Sequence, residues 1–328
     1  MSAAISAFSR VSLAFCLVLL SGCLNAQELP PGPWKRGAPM TASRSEIAAA
    51  ALDGRIYVVG GIAQWGTTAG FEAYDPATDI WQELPPLPAA VHHMAAAVAG
   101  GRVYVAGGYA NIRFSELSAQ VWAYDPSAEA WSRVADMPAL RAAHAMAAID
   151  DKLYVVGGVG PGSEALWVYD PTADRWDISR APIPTKREHL AVAVLDNKLY
   201  VVGGRRGDVG NLPTLEIYDP ATDTWKRGKD MPTPRGGLTA GAVGGRIHVT
   251  GGEAFSPRRT FGQHEVNDPK RDVWITLADL PTARHGLASA VVDDRWYVIG
   301  GGAKAGALTF ISLTDLVEIF DLRRQQKP

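Results

Sequence analysis

The sequence predicts an all-β fold in which six four-stranded antiparallel sheets form a ring and the N-terminal strand completes the last sheet. Three observations support this prediction. A short apolar run closed by two glycines occurs six times, at intervals of 46 to 50 residues. A tyrosine and a tryptophan seven residues apart recur between these runs. The last repeat lacks one strand, and a spare strand stands near the N-terminus.

Each repeat begins with a predicted hairpin. In the first repeat, the small apolar run 47–52 is followed by Asp53-Gly54 and then by the run 55–61, which ends in two glycines. Such turn pairs tolerate the positive φ that a two-residue hairpin requires. We therefore expect strand a, a tight turn and strand b in every repeat. The glycine pairs that close strand b are Gly60-Gly61, Gly107-Gly108, Gly157-Gly158, Gly203-Gly204, Gly251-Gly252 and Gly300-Gly301.

The second half of each repeat adds two strands. In the first repeat, Tyr74-Asp75-Pro76 precedes Trp81. Asp-Pro favours a turn because proline fixes φ and aspartate accepts hydrogen bonds from the amides that follow it. This pattern predicts strand c, a turn and strand d, which carries the tryptophan. The same spacing recurs at Tyr124/Trp131, Tyr169/Trp176 and Tyr218/Trp225, and the fifth repeat has Asn267 before Trp274.

The sixth repeat has a strand c at 316–321 and then the chain ends, so its strand d must come from elsewhere. Trp34 precedes Arg44 by ten residues, just as Trp81 precedes Val91. The segment at Trp34 is therefore predicted to be the missing strand. Six four-stranded units of this length are typical of a six-bladed β-propeller, in which each sheet is called a blade.

A doubled glycine followed by a tyrosine and a tryptophan about seven residues apart resembles the kelch signature. The resemblance covers residues 34–322 and implies a kelch-repeat β-propeller, of the type found in exported bacterial kelch lipoproteins. Three positions depart from the pattern: Val91 where the other repeats have arginine, Asn267 in place of tyrosine, and Asp321-Leu322 in place of Asp-Pro. None of these changes affects the predicted fold.

The N-terminus predicts export. An apolar run at 11–20 leads to Leu-Ser-Gly-Cys23, which resembles a bacterial lipobox whose cysteine becomes the lipidated first residue. We expect a protein anchored by lipid in the bacterial envelope, on the periplasmic side of the outer membrane. The alternative is cleavage near Ala26, which gives a soluble periplasmic or secreted product. The predicted organisation is a lipoprotein signal peptide at 1–22, an anchor and spacer at 23–33, the propeller at 34–322 and a tail at 323–328.

Composition excludes several kinds of function. A net charge of -2 gives no general attraction to nucleic acid. Cys16 and Cys23 are the only cysteines, so the mature propeller has no disulfide and no cysteine ligand or nucleophile. A copper radical oxidase like galactose oxidase, which needs a Cys-Tyr crosslink, is thereby excluded. No HxH or HExxH spacing occurs, and we predict neither a metal nor another cofactor.

One face of the propeller is predicted to vary. The distance from the first glycine to the tyrosine position ranges from 12 to 20 residues, so the b–c loops differ in length. Variation concentrated on one face is typical of a binding surface, although such loops can also serve only as cover. We name this side, which the d–a loops share, the variable face. The predicted loop contacts are Trp65, Arg113, Phe114, Arg205, Arg206, Arg258 and Phe261.

An arginine occurs sixteen residues before the first glycine in five repeats, and we name this place the arginine position. We expect it to begin strand a and to surround the channel mouth on the variable face. In kelch domains that capture acidic peptides, arginines at this strand position contact ligand carboxylates, which implies the same role here. The alternative is that each arginine bonds loop carbonyls. The predicted ligand-binding residues are Arg44, Arg141, Arg187, Arg235 and Arg284, together with His93 and His144.

Two functional hypotheses follow, beside the alternative of a purely structural envelope protein. The first is a binding module for an anionic or acidic ligand, either an unidentified protein or an acidic sugar or peptide, with contact to the membrane only through its lipid. The second is an enzyme resembling sialic-acid mutarotases, with Glu46, Glu188 and His189 as weak catalytic candidates. Five histidines cluster near the arginine position: His92, His93, His144, His189 and His285.

Overall fold

The computed structural model describes residues 33–325, which form six four-stranded antiparallel blades around a central axis. Each inner strand a contacts the inner strands of both neighbouring blades, so the ring is closed. The predicted six-bladed propeller is confirmed. The predicted signal peptide, the lipidation at Cys23 and nearly all of the spacer lie outside the described residues. No helix within residues 33–325 is long and apolar enough to cross a membrane.

The blades share one strand order, a-b-c-d from the axis outward. The a strands are Ala48–Leu52, Ala95–Ala99, Ala145–Ile149, Ala191–Leu195, Gly236–Val243 and Ala288–Val292. The b strands are Arg55–Val59, Arg102–Ala106, Lys152–Val156, Lys198–Val202, Arg246–Phe255 and Arg295–Ile299. The c strands are Phe71–Asp75, Val121–Asp125, Trp167–Asp170, Leu215–Asp219, His264–Asp268 and Val317–Asp321. The d strands are Ile80–Glu83, Ala130–Val134, Arg175–Asp177, Thr224–Arg227, Val273–Leu277 and Trp34–Gly37.

The b–c loops carry all but one of the remaining elements. Two of them form short hairpins, Ile62–Ala63 with Gly66–Thr67 and Arg205–Arg206 with Gly210–Asn211. In the fifth blade, Arg258–Thr260 pairs with the end of the long strand b. The sixth loop contains a 3₁₀-helix, Gly306–Ile311. A short α-helix, Leu322–Gln325, follows the last strand.

The N-terminal strand closes the ring as predicted. Trp34 pairs with Phe320 and Gly37 pairs with Val317, so the strand lies antiparallel to strand c of the last blade. Phe320 lies beside Asp321, which pairs with Arg295 just after an a–b turn. Trp34 therefore stands at the face that carries the a–b and c–d turns. We name it the constant face, because its turns have nearly the same length in all blades.

The tryptophan of each strand d ties its blade to the preceding one. Its indole N–H donates to a backbone carbonyl just after strand d of that blade, over 2.8 to 3.0 Å. A hydrogen bond of this kind contributes about 1 kcal/mol. The tryptophan thus forms a specific bond between neighbouring blades. The six donor-acceptor pairs are Trp34/Ala278, Trp81/Ala38, Trp131/Pro85, Trp176/Ala135, Trp225/Ala181 and Trp274/Lys229.

A second set of equivalent residues meets at the axis. Each lies two residues after the arginine position and has a φ between 51° and 69°. The backbone N–H of each donates to the carbonyl of its equivalent in the preceding blade, and the six bonds of 2.6 to 3.1 Å close a circle. We name these residues the axial ring: Glu46, His93, Ala143, His189, Gly237 and Gly286.

Strand a begins later than predicted in most blades. In five blades it starts four residues after the arginine position, for example at Ala48 after Arg44. In the fifth blade it starts at Gly236, one residue after Arg235, and Gly237, which also has positive φ, is skipped in the pairing register. The prediction that strand a begins at the arginine position is thus wrong by four residues in five blades and by one in the fifth.

Candidate functional site

The arginines at the arginine position are buried inside the blades. Their exposed fractions are 3% for Arg44, 1% for Arg187 and zero for the other three. Four of them form ion pairs with a glutamate that lies on strand c, two residues before the tyrosine position. These pairs are Arg44–Glu72, Arg187–Glu216, Arg235–Glu265 and Arg284–Glu318.

The last blade shows how fully such a pair is enclosed. Arg284 donates from Nε to the carbonyl of Gly300 over 2.7 Å and from Nη2 to that of Val298 over 2.9 Å. Its Nη1 also bonds Glu318, whose Oε1 accepts a 2.9 Å hydrogen bond from the hydroxyl of Thr282. A buried ion pair is tolerated when its remaining donors and acceptors are satisfied in this way. The pair holds strands a, b and c of one blade together.

The two blades without the glutamate use tryptophan instead. The guanidinium of Arg141 lies 3.3 Å from the ring centre of Trp167, a close cation–π contact. In the second blade, Val91 stands at the arginine position and Trp122 at the glutamate position. The structure thus corrects the expectation that these arginines line the channel mouth, because each side chain is used within its own blade.

A pocket of about 380 Å³ lies on the axis, at the variable face above the axial ring. Its upper walls include the aromatic rings of Phe114, Phe255 and Phe310. We name it the central pocket. Its size and its mixture of apolar walls with a few convergent polar groups are typical of a small-molecule site. The polar lining residues are Glu46, His93, His189, Arg205, Glu253, His285 and Thr309.

Two positions of the repeat supply most of these polar lining residues, which form the floor of the central pocket. Glu46, His93 and His189 come from the axial ring. Arg205 and Glu253 follow the glycine pair in adjacent blades, at a position where the other blades have Ile62, Tyr109, Val159 and Gly302. The repeat scaffold thus places side chains of different chemistry around one point.

Burial determines the protonation state of the polar groups on the floor of the central pocket. Burial, with a smaller contribution from the charge of Glu253, raises the pKa of Glu46 to about 8. Burial, with smaller contributions from Arg205 and the neighbouring histidines, lowers the pKa values of His93 and His189 well below the ordinary histidine value. At neutral pH the two imidazoles are therefore neutral and Glu46 carries a proton.

The hydrogen bonds around His93 assign its tautomer. Nε2 of His92 lies 2.9 Å from the carbonyl of Asn111, which can only accept, so Nε2 carries the proton. Nδ1 of the neutral His92 is then an acceptor, and Nδ1 of His93, 2.5 Å away, donates to it. Nε2 of His93 is left with its lone pair, 3.1 Å from Oε2 of Glu46.

A second network of hydrogen bonds and ion pairs holds the polar side chains on the other side of the pocket floor. Arg205 donates from Nε to Glu188 over 3.0 Å and from Nη1 to Glu253 over 2.9 Å. The free carboxylate oxygen of Glu188 contacts Nδ1 of His189. Nδ1 of His285 lies 3.4 Å from Oε1 of Glu253 and 3.6 Å from Oε1 of Glu46.

The structure separates the predicted site residues. It brings Glu46, Glu188, His93 and His189 together. His144 does not line the central pocket but a smaller cavity of about 100 Å³ deeper in the channel, which Glu46, His93 and His189 also line. Burial lowers the pKa of His144 to about 3, and neither ring nitrogen has a hydrogen-bond partner among the described residues.

The predicted loop contacts also differ in whether they line the central pocket. Phe114 and Arg205 line the central pocket. Trp65 is 91% exposed but lines a separate hollow. Phe261 is buried at 3% exposure, where it packs near Arg235 and Arg259, so its prediction as a loop contact is wrong. Three other predicted contacts are exposed outside the pocket: Arg113, Arg206 and Arg258.

Sequence reasoning missed Glu253, Phe255 and Phe310. Glu253 could have been found, because it directly follows a glycine pair at the position that Arg205 occupies one repeat earlier. Phe255 ends the long strand b of the fifth blade, and Phe310 lies in the 3₁₀-helix of the sixth b–c loop. Both segments are additions to the repeat, so its spacing does not indicate where these side chains point.

Comparison with known proteins agrees with the repeat pattern. The family model described as the KLHDC2/KLHL20/DRC7 Kelch-repeats domain matches residues 32–158 and 143–326. The Kelch-like protein terF of Aspergillus terreus is 40% identical over 55 residues, which are 15% of this chain and only 12% of that protein's length. The solved structure of YjhT covers 85% of this chain and 96% of its own, with a TM-score of 0.71 and 18% identity, which shows a shared fold. Because the family model spans nearly all of the described residues, this chain belongs to the kelch-repeat family.

Proposed function

We propose that this kelch propeller is a binding module that takes a small, neutral, hydroxylated ligand, such as a monosaccharide, in the central pocket. The observation that supports this most is the pairing of three phenylalanine rings with a floor of fixed hydrogen-bonding groups. Flat apolar walls suit the carbon face of a sugar ring, and the carboxyl, imidazole and guanidinium groups suit its hydroxyls. A volume of about 380 Å³ accommodates one such molecule.

A neutral ligand fits better than the acidic one expected from the arginines. The arginines at the arginine position are at most 3% exposed and committed to their own blades. Among residues 33–325, Arg205 is the only arginine that lines the pocket, and it lies between Glu188 and Glu253. A ligand carboxylate at this place would meet two like charges.

Calorimetric titration of the mature chain with neutral monosaccharides, and separately with N-acetylneuraminate, tests the proposal. We expect a neutral sugar to bind and Phe310→Ala to weaken it at least tenfold. Ile80→Ala is the matched control, because Ile80 is an exposed apolar residue that follows a c–d turn on the constant face. Binding of N-acetylneuraminate alone, or equal affinity of the Phe310 variant and the wild type, would overturn the proposal.

A second candidate is a sugar isomerase that exchanges anomers, resembling the sialic-acid mutarotases. The specific observation in its favour is the 3.1 Å contact between Oε2 of Glu46 and Nε2 of His93, which places a proton donor and an acceptor side by side at the pocket floor. Anomer exchange requires an acid at the ring oxygen and a base at the anomeric hydroxyl. The test is exchange spectroscopy of glucose and N-acetylneuraminate. A rate equal to that in buffer, or unchanged by Glu46→Gln, would remove this candidate.

We also propose export and lipid anchoring through Cys23. Trp34 stands at the constant face, so an anchor joined to it through residues 23–33 would leave the central pocket facing away from the membrane. Labelling with a radioactive fatty acid should mark the wild type and not Cys23→Ser. Equal labelling of both proteins would contradict the anchor.

A further inference from the structure

We propose that Glu46, His93 and His189 form a site for one divalent transition-metal ion, such as Zn²⁺, on the propeller axis. One ligand atom from each residue lies within 4.8 Å of those of the other two. The pair formed by Oε2 of Glu46 and Nε2 of His93 is already 3.1 Å apart. Bonds of about 2.0 Å in a tetrahedral zinc site separate neighbouring ligand atoms by about 3.3 Å. The inference goes beyond ligand binding in the pocket and does not depend on a sugar.

The backbone places the three ligands rigidly. All three belong to the axial ring, whose closed circle of hydrogen bonds fixes the direction in which each side chain leaves the backbone. The other ring members are Ala143, Gly237 and Gly286, which bring no competing polar side chain to the axis. A Cβ at Gly286 would overlap Oε1 of Glu46, so glycine at this position leaves room for the carboxylate.

Hydrogen bonds outside the three residues prepare His93 as a ligand. The carbonyl of Asn111 and the ring of His92 hold the proton of His93 on Nδ1. Nε2 therefore presents a lone pair toward Glu46, as a metal ligand must. A hydrogen bond to the non-ligating nitrogen is the usual support of a metal-binding histidine.

A carboxylate lies against the ring of His189 as well. The carboxylate of Glu188 contacts its Nδ1 and is itself held by Nε of Arg205 at 3.0 Å. This carboxylate–histidine arrangement recurs around metal sites, where it orients the imidazole and increases its basicity. The two histidines thus receive their support from different elements of the propeller.

His285 supplies an independent observation that points to a ligand at the axis. It is 2% exposed, and its Nδ1 has no hydrogen-bond partner among the described residues. This nitrogen faces Oε1 of Glu46 at 3.6 Å and Oε1 of Glu253 at 3.4 Å. A buried nitrogen without a partner is costly unless another group completes its environment. A water molecule bound to the ion would do so.

The donor set indicates the class of metal. Two imidazoles and one carboxylate suit Zn²⁺, Fe²⁺, Co²⁺ or Ni²⁺ rather than Mg²⁺ or Ca²⁺, which prefer oxygen ligands throughout. Three protein ligands leave coordination positions open, and these would face the central pocket.

The first experiment is a titration of the tag-free, chelator-treated mature chain with Co²⁺ and Zn²⁺, without sugar. We expect one equivalent of Co²⁺ to give the visible absorption of a nitrogen- and oxygen-coordinated ion, and Zn²⁺ to displace it. Glu46→Gln and His189→Ala should each weaken binding at least tenfold. Absence of a stoichiometric Co²⁺ spectrum in the wild type, or an unchanged spectrum in both variants, would overturn the site.

Two glycines of the axial ring provide a matched control. Gly286→Ala places a methyl group against the carboxylate of Glu46, whereas the nearest atom to a Cβ at Gly237 is 3.6 Å away. Both residues have positive φ, and Ala143 shows that the ring accepts alanine. We expect Gly286→Ala to weaken Zn²⁺ binding at least tenfold and Gly237→Ala to leave it nearly unchanged. Equal effects of the two substitutions would overturn the assignment of Glu46 as a ligand.

A thermal measurement separates loss of the site from loss of the fold. Because Zn²⁺ binds the folded chain, it should raise the melting temperature of the wild type and of Gly237→Ala. It should not raise that of Glu46→Gln. An equal increase in all three proteins would place the metal elsewhere and contradict the proposal. Failure of every sugar to bind would leave these outcomes unaffected.

Discussion

The arginine position and the axial ring lie only two residues apart in each repeat, yet they differ in how they vary between blades. Five of six blades have arginine at the arginine position, and all five side chains are buried. The axial ring has glutamate, histidine, alanine, histidine and two glycines. The residue type that repeats stabilises each blade separately, whereas the residues that differ between blades form the single centre where all blades meet.

The geometry of a ring explains this difference. Arg284 finds Glu318 and three carbonyls within its own blade, so the same solution works in other blades. Residues at the axis instead touch their equivalents from neighbouring blades. Six identical charged side chains there would repel one another, and six identical bulky ones would collide, so a few large polar groups need small residues beside them.

The largest expected effect is on stability, from a change at a repeated position. Glu318→Ala leaves the guanidinium of Arg284 buried without its counter-ion, and we expect the free energy of unfolding to fall by about 3–5 kcal/mol. Denaturant unfolding measures the loss. The control is Asp136→Ala, which removes an exposed pair with Arg133 and should change little. Similar losses in the two variants would show that the buried pair has no special role.

A smaller effect is expected when a whole pair is replaced. The second blade shows that valine and tryptophan can occupy the two positions, as Val91 and Trp122. Arg235→Val with Glu265→Trp should therefore destabilise the protein less than the sum of the single changes, with a coupling of about 1–3 kcal/mol. Unfolding of the four proteins of this cycle provides the measurement. Additive losses would show that the pair is not a replaceable unit.

The smallest expected effect is on the pH dependence of stability, and it comes from His144 near the axis. His144 has a folded-state pKa of about 3, so the unfolded chain binds one more proton than the folded chain between that value and the ordinary histidine value. Stability due to neutral His144 is present at neutral pH and is lost as pH falls. His144→Leu should reduce the slope of unfolding free energy between pH 6 and pH 4 by about 1.4 kcal/mol per pH unit. An unchanged slope would contradict the assignment.

The sequence predicted the architecture well because its signals are local and repeated. The glycine pairs, the Tyr/Trp spacing and the count from Trp34 to Arg44 are each readable within one repeat. The direction of the arginines was missed, although a glutamate two residues before the tyrosine position accompanies four of them. Those glutamates lie on another strand, and only the fold brings them to the arginines.

The centre of the site was recognised only in part. Glu46, His93 and His189 were selected individually, but they come from three blades and have no short motif that predicts their meeting. The positive φ of the axial ring, which aims these side chains, depends on hydrogen bonds between blades. The pocket walls formed by Phe255 and Phe310 likewise depend on the conformations of the b–c connections, which the spacing of the repeat does not encode.

The most direct test of the account compares Glu46→Gln with Glu318→Gln in two assays, Zn²⁺ titration and denaturant unfolding. We predict that Glu46→Gln loses Zn²⁺ binding and keeps the stability of the metal-free wild type, because a neutral amide replaces a protonated carboxyl. Glu318→Gln should bind Zn²⁺ while folded and should unfold at lower denaturant. Loss of binding and stability together in both variants, or binding of Zn²⁺ by Glu46→Gln as tight as in the wild type, would contradict separate roles for the axis and the blades.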